Sequence, residues 1–94
     1  MRSARGATGR LLVGYQVAAD LVDWAYGFDE AIIGATSWTV SARIARADPF
    51  WLEHEGAMVL ELDFGDKRLV WPAVRADVSD TAVAVTGTGA PEVR

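Results

Sequence analysis

The sequence predicts an all-β protein: a small antiparallel β-sandwich or barrel of about six to seven strands, with one short helical turn near residues 48–55. Three observations predict this class. Apolar and polar residues alternate with a period of two through much of the chain. Turn-forming residues interrupt the alternation about every ten residues. The 94-residue chain also leaves no room for a βαβ unit, whose crossover alone needs about 10–12 residues.

The first third of the chain holds two alternating stretches. The apolar residues of the first are Leu11, Val13, Tyr15 and Val17. Those of the second are Val22, Trp24 and Tyr26, which share one face of a strand. Residues 26–30 contain glycine and acidic residues and therefore predict a turn, after which Ile32 and Ile33 resume a strand.

Residues 36–45 form the clearest strand in the sequence. One face carries Trp38, Val40, Ala42 and Ile44. The other face is polar, which is typical of an antiparallel sheet with one side in water. The β-branched residues Thr36 and Thr39 disfavour a helix here.

The short helical turn is predicted from three residues. Asp48 is a favourable N-cap, and Pro49 is tolerated at the first helical position. Gly56 can end the turn. We therefore expect one or two helical turns across an end of the sheet.

Residues 57–75 give the best hairpin signal. Two alternating runs flank Gly65 and Asp66, which reverse the chain. Pro72 lies inside the second run and has no N–H to donate, so that strand must lie at an edge or carry a bulge. A last hairpin is predicted around residues 79–80.

These elements define three parts of the chain. Residues 1–9 are predicted to form an extended basic N-terminal arm, residues 10–86 a single all-β domain, and residues 87–94 a C-terminal tail. The predicted core residues are Trp38, Val40, Ile44, Leu60, Leu62, Val83 and Val85.

Charge is distributed unevenly. Residues 1–19 hold three arginines and no acid, whereas residues 20–94 hold six basic and thirteen acidic side chains, a formal charge of −7. Such an acidic body repels phosphates, so nucleic acid is an unlikely partner. No apolar run approaches the roughly 20 residues of a membrane span. The N-terminus has a basic start but no apolar stretch of the length that a secretory signal needs, so we expect no export. We therefore expect no membrane association and a cytoplasmic location.

The residue types that catalysis and metal binding need are scarce. The chain has no cysteine, and its single histidine, His54, lacks a second histidine at metal-ligand spacing. Glu61 and Asp63 share the polar face of a strand but depart from the spacing of a calcium loop. No nucleophile elbow or phosphate-binding glycine loop occurs. The sequence thus predicts a non-enzymatic protein without metal or cofactor.

Aromatic residues are the strongest candidates for binding. Phe50 and Trp51 lie in the predicted turn, where they either plug an open end of the sheet or form an exposed anchor for a partner. Exposed tryptophans could also stack on sugars, so the alternative function is a small carbohydrate- or peptide-binding β-module. A third hypothesis is a small regulator that blocks one target protein through its acidic surface.

The layout of the whole chain resembles the small all-β virion proteins of tailed phages, such as capsid decoration proteins and head or tail accessory components. The resemblance depends on the arginine-bearing arm at 1–10, the strand at 35–40, the turn at 48–51, the hairpin at 57–75 and the glycine–threonine tail at 86–89.

The resemblance implies an accessory structural protein that binds a capsid or tail lattice. Its partners would be other structural proteins such as a major capsid or tail protein, and it would be a homo-oligomer or lattice-bound. A phage-encoded chain of this kind would be located in the virion after assembly in the host cytoplasm. Arg2, Arg5 and Arg10 could then form bidentate pairs with carboxylates of the partner.

Overall fold

A computed structural model describes residues 2–30, 36–53 and 56–94. Within these ranges it contains eight strands and one short helix. In chain order the elements are β1 (Arg2–Val13), β2 (Gln16–Glu30), β3 (Thr36–Ala47), α1 (Pro49–Leu52), β4 (Met58–Phe64), β5 (Lys67–Val74), β6 (Ala76–Val78), β7 (Ala82–Thr88) and β8 (Glu92–Val93). The all-β prediction is confirmed. The structure has eight strands where six to seven were predicted, and β8, with two residues in the predicted tail, is too short to show alternation.

All eight strands belong to one antiparallel sheet, in the order β6-β7-β3-β2-β1-β4-β5-β8. A sandwich would divide them between two sheets. β5 and β6 lie far apart in this order, yet only Arg75 separates them in the chain. Residues two apart have Cα atoms at most about 7 Å apart, so Val74 and Ala76 hold opposite parts of the sheet together. The sheet is consequently curled into a half-barrel.

The predicted arm is part of the sheet. Residues 2–9 form the first part of β1, which pairs with β2 from Arg2 opposite Phe28 to Val13 opposite Gln16. This segment is not a free arm, because its small residues pair with bulky residues of β2. Gly6 pairs with Trp24, so the missing side chain on one strand makes room for a large one on the other.

The predicted turn at residues 26–30 is also strand. Phe28 pairs with Arg2 on one side and with Trp38 on the other, so this segment lies inside the sheet. Ile32 and Ile33 lie outside the described residues. The predicted tail joins the sheet as well, since β7 extends to Thr88 and β8 pairs with β5.

A β-bulge in β2 changes which residues face the core. The ladder with β3 shifts between Val22 and Ala25, and Asp23 adopts a left-handed conformation with φ of 52°. As a result Leu21 and Trp24, three positions apart, are both buried. Simple alternation places them on opposite faces.

The core lies on the concave side of the sheet. Of the predicted core residues, Ile44 is half-buried and packs against the core. The other six are buried: Trp38, Val40, Leu60, Leu62, Val83 and Val85. Ile44 lies beyond Arg43, which forms the last pair between β3 and β7, so its neighbours cover it only in part.

Two pairs of glycine and tryptophan face each other across neighbouring strands. Gly6 lies opposite Trp24, and Gly87 lies opposite Trp38. A Cβ atom at Gly6 would lie 2.3 Å from the indole of Trp24, and one at Gly87 would lie 2.7 Å from that of Trp38. Each indole therefore lies directly across the backbone of its glycine partner.

We predict that Gly6→Ala destabilises the protein by about 1–3 kcal/mol, because the new methyl group overlaps a fully buried ring. In an ordinary strand position the same change is neutral or stabilising. Urea unfolding measures the difference. In a Trp24→Phe background the penalty should be smaller, and an equal penalty in both backgrounds would contradict this packing.

Candidate functional site

α1 is fixed to the sheet through its N-cap residue, Asp48. The side chain of Asp48 accepts a hydrogen bond from the backbone N–H of Phe50 at 3.1 Å, as the predicted N-cap requires. The backbone N–H of Asp48 donates to the carbonyl of Ala18 in β2 at 2.8 Å. The helical turn occupies residues 49–52, and Phe50 and Trp51 therefore project from a defined support.

Phe50 and Trp51 have different surroundings. Phe50 is 76% exposed, whereas Trp51 is half-buried. Their rings meet edge to face with centroids 5.0 Å apart, a favourable aromatic geometry. The ring of Trp51 therefore packs against the ring of Phe50, and Phe50 remains largely exposed to solvent.

Further apolar side chains lie at the same end of the sheet. Val17 and Pro49 line one surface depression of about 480 Å³, which joins the start of β2 to α1. Tyr15, in the turn between β1 and β2, is fully exposed, and Val17 is 43% exposed. We call this surface the aromatic end: Tyr15, Val17, Phe50 and Trp51.

The three arginines expected on the arm are separated by the structure. Arg5 is exposed on β1, opposite Ala25. The backbone of Arg2 pairs with Phe28, and its side chain lies outside the described residues. Arg10 forms ion pairs within the chain, so its guanidinium is already occupied.

Arg10 belongs to a polar cluster on the outer surface of β1, β4 and β5. Its guanidinium lies 3.3 Å from a carboxylate oxygen of Glu61 and 2.9 Å from one of Asp63. Asp63 also accepts hydrogen bonds from Thr8 at 2.9 Å and from Arg68 at 3.2 Å. Arg10 faces Glu61 and Arg68 faces Asp63 in the strand registers, so the opposite charges are direct cross-strand neighbours.

Asp63 is held in its ionised form by this cluster. Partial burial alone would raise the pKa of Asp63. The hydrogen bonds from Thr8, Arg10 and Arg68, together with the charge of Arg10, outweigh burial and lower the pKa below its usual range. The two carboxylates of the predicted polar face are therefore bound to arginines.

Among residues 2–30, 36–53 and 56–94, no three histidine or acidic side chains are grouped so that they could hold a metal ion. His54 lies outside these ranges. No helix in the described part of the chain is long and apolar enough to cross a membrane.

A second surface feature lies where the curled sheet fails to close. The ladder between β6 and β7 ends at Ala76 opposite Val85, and beyond this pair β5 and β7 separate. They leave a groove of about 530 Å³, the seam groove, whose lining includes Trp38, Trp71, Pro72, Val74, Arg75 and Gly87. Sequence alternation indicates that Trp38 and Trp71 are apolar strand residues, but it gives no signal that they meet.

Aromatic rings close the inner side of the seam groove. The indoles of Trp38 and Trp71 have centroids 4.9 Å apart, and the ring of Tyr26 lies 5.1 Å from that of Trp71. All three side chains are buried. Burial raises the pKa of Tyr26, so its phenol stays uncharged at neutral pH.

Comparisons with known proteins assign no family. The chain matches no protein-family model, no curated protein and no solved structure. The aromatic end and the seam groove are therefore the features from which a function can be inferred.

We predict that Asp63→Asn destabilises the protein by about 0.5–1 kcal/mol at pH 7, a value reduced because the side chain is 30% exposed. The pKa of Asp63 is lowered in the folded state, so its ionisation contributes stability above the unfolded pKa, and this contribution is lost as the pH falls through the folded value. The difference between wild type and variant should therefore shrink at pH 3 in urea unfolding.

Asp66→Asn is the matched control, because Asp66 is exposed in the turn between β4 and β5. It should change the free energy of unfolding by less than about 0.5 kcal/mol at either pH. If Asp66→Asn lowers the free energy of unfolding as much as Asp63→Asn does, the effect comes from the loss of a negative charge at any position and not from the polar cluster.

Proposed function

We propose that this chain is a non-enzymatic structural protein that docks on other structural proteins through its aromatic end. The observation that carries the proposal is the exposure of Phe50, a residue that is 76% exposed while its backbone N–H is held by the side chain of Asp48. A large apolar ring held in water by an ordered support is typical of an interface anchor.

The surroundings of Phe50 support docking on a protein. Buried aromatic anchors dominate the binding energy of protein interfaces when near-neutral contacts around them exclude water. Tyr15 and Val17 extend the apolar surface, and the depression beside them can receive a side chain of the partner. The polar residues Asp20, Arg46 and Asp48 line the depression and provide hydrogen-bonding groups at its rim.

A lattice is the partner that this arrangement suits best. A protein that decorates a capsid or tail needs a compact body and an anchor but no active site. The specific proposal is an accessory virion protein of a tailed phage that binds a major capsid or tail protein, with many copies on one particle. Assembly in the host cytoplasm and a final location in the virion follow from that proposal.

The carbohydrate-binding alternative receives less support. A sugar-binding face needs indoles that present their rings to solvent. Trp24, Trp38 and Trp71 are each at most 4% exposed, and Trp51 is half-buried. None of the four provides the open, flat platform that a sugar ring stacks on.

We predict that Phe50→Ala lowers incorporation into the native assembly by about 10- to 30-fold, because it removes the anchor. Particles are isolated from the source by sedimentation, their mass is measured by light scattering, and the bound chain is quantified by mass spectrometry. The thermal midpoint should stay within a few degrees of wild type, since Phe50 is exposed.

Val78→Ala is the matched control, because Val78 is an exposed apolar residue of β6, outside the aromatic end. It should be incorporated like wild type. Equal incorporation of Phe50→Ala and wild type would refute the docking surface, and a chain found only as a free monomer of about 10 kDa would refute the lattice role.

A further inference from the structure

β1 extends beyond one of the two strands that flank it. On one side it pairs with β2 from end to end. On the other side it pairs with β4 only from Gly9 to Leu12. The same register would bring Phe64, the last residue of β4, level with Ala7, and the chain turns back there. Residues 2–6 therefore extend past β4, and no described residue pairs with their edge on that side. We call this stretch the open edge.

The open edge has little of the protection that sheet edges usually carry. Natural edge strands are protected by proline, by charged side chains, by a bulge or by a covering element. Residues 2–6 contain no proline, and the irregularity in the pairing of β1 lies farther along, between Leu11 and Leu12. Alternate residues of this stretch direct their backbone N–H and C=O groups to the open edge. These groups are available to a further strand over a length of about 17 Å.

The charge of Arg5 selects among possible strands. Arg5 is the one charged side chain between Ser3 and Ala7. It is exposed and lies opposite Ala25 of β2, so the residue across the existing ladder carries no charge. Opposite charges that face each other across two strands stabilise a sheet, and like charges destabilise it. The open edge therefore favours a strand with an acidic side chain opposite Arg5.

A second copy of the chain fits this edge poorly. The antiparallel registers that use most of the open edge pair Ser3 with Arg5 of the other copy, or Arg5 with Arg5. In either register the two Arg5 side chains lie on the same face of the joined ladder, directly opposite or on the diagonal. Because like charges repel at these positions, the edge disfavours self-pairing.

The inward face beside the open edge is apolar. Ala4 and Phe28 pack against the core but are only partly buried. Phe64 is 45% exposed, and its ring lies 6.1 Å from that of Trp24. An added strand with apolar side chains on this face would cover Ala4 and Phe64. The strand that fits therefore alternates apolar residues with polar ones that include an acid.

We infer that the open edge binds an extended acidic segment of a partner protein by strand addition. The segment lies antiparallel to β1, as do both present neighbours of β1. Backbone hydrogen bonds supply affinity, and a carboxylate of the segment pairs with Arg5. The open edge lies at the end of β1 away from Tyr15 and the aromatic end, so this site does not depend on docking through Phe50.

The test uses the peptide Ac-Val-Glu-Val-Thr-Val-NH₂, whose glutamate falls opposite Arg5 when the peptide pairs with residues 2–6. Its matched analogue has lysine in place of glutamate. In spectra of ¹⁵N-labelled protein, the amide signals of residues 2–6 should shift with a dissociation constant on the order of 1 mM for the acidic peptide. The lysine peptide should bind about 5- to 10-fold more weakly. The amide of Leu11, which is paired on both sides, should not move.

Backbone methylation separates strand addition from contact between side chains. One form of the acidic peptide is methylated at the valine nitrogens, and a second form at the nitrogens of glutamate and threonine. Only one of these two sets of N–H groups can point to β1 in an antiparallel ladder. One form should therefore lose binding, and the other should retain it.

Two variants test the charge. Arg5→Gln should weaken binding of the acidic peptide about 2- to 5-fold and abolish the preference over the lysine peptide. Arg43→Gln is the matched control, since Arg43 is also an exposed arginine but lies on β3, which is paired on both sides. It should leave both affinities unchanged.

Four results would overturn the inference. These are no response of residues 2–6 to either peptide, equal binding of the two methylated forms, and equal effects of Arg5→Gln and Arg43→Gln. The fourth is a dimer of the free protein in sedimentation whose amides at residues 2–6 are protected from hydrogen exchange, which would assign the edge to a second copy. The peptide titrations use the unaltered chain, so they decide the outcome even if a variant fails to fold.

Discussion

A single residue between two strands determines the shape of this protein. Arg75 connects β5, which pairs with β4, to β6, which pairs with β7 at the other end of the sheet order. A flat sheet cannot satisfy this connection, so the sheet must curl until the end of β5 lies beside the start of β6. Curling creates the concave side on which Leu11, Leu60 and Val85 are buried together. The core therefore depends on the connection as much as on the apolar residues that fill it.

Where the curl is incomplete, aromatic side chains pack across the gap between β5 and β7. The indoles of Trp38 and Trp71 meet across the seam at 4.9 Å, which seals the core from that side. Gly87 makes this contact possible, because its missing side chain lets Trp38 pass over β7. Neither indole N–H has an acceptor among the described residues. Closure of the core at the seam therefore depends on this glycine and the two indoles.

The sequence predicts the fold wherever one face of a strand is apolar throughout. Alternation therefore identified β3 and the β4–β5 hairpin, and the register of β4 with β5 shifts beside Pro72, where the sequence predicts an edge or a bulge. It failed where small residues stand opposite large ones, as at Gly6, because a glycine carries no signal about its partner. It also failed at Asp23, where a bulge changes the face of the strand. For the candidate site, the sequence predicts that Phe50 and Trp51 lie in a helical turn that begins at Asp48, as they do, but the seam groove depends on long-range pairing that no local pattern encodes.

The position of β1 has a consequence for how the chain folds. β1 lies in the interior of the sheet, between β2 and β4, and its Arg10 pairs with Glu61, which is 51 positions later in the chain. The β1–β2 hairpin can form early, but the edge of β1 that pairs with β4 stays unpaired until the second half of the chain folds against it. Contacts so distant in sequence slow the folding of β proteins, because a long loop must be ordered first. Folding should therefore be slow and cooperative, with neither half of the chain stable without the other.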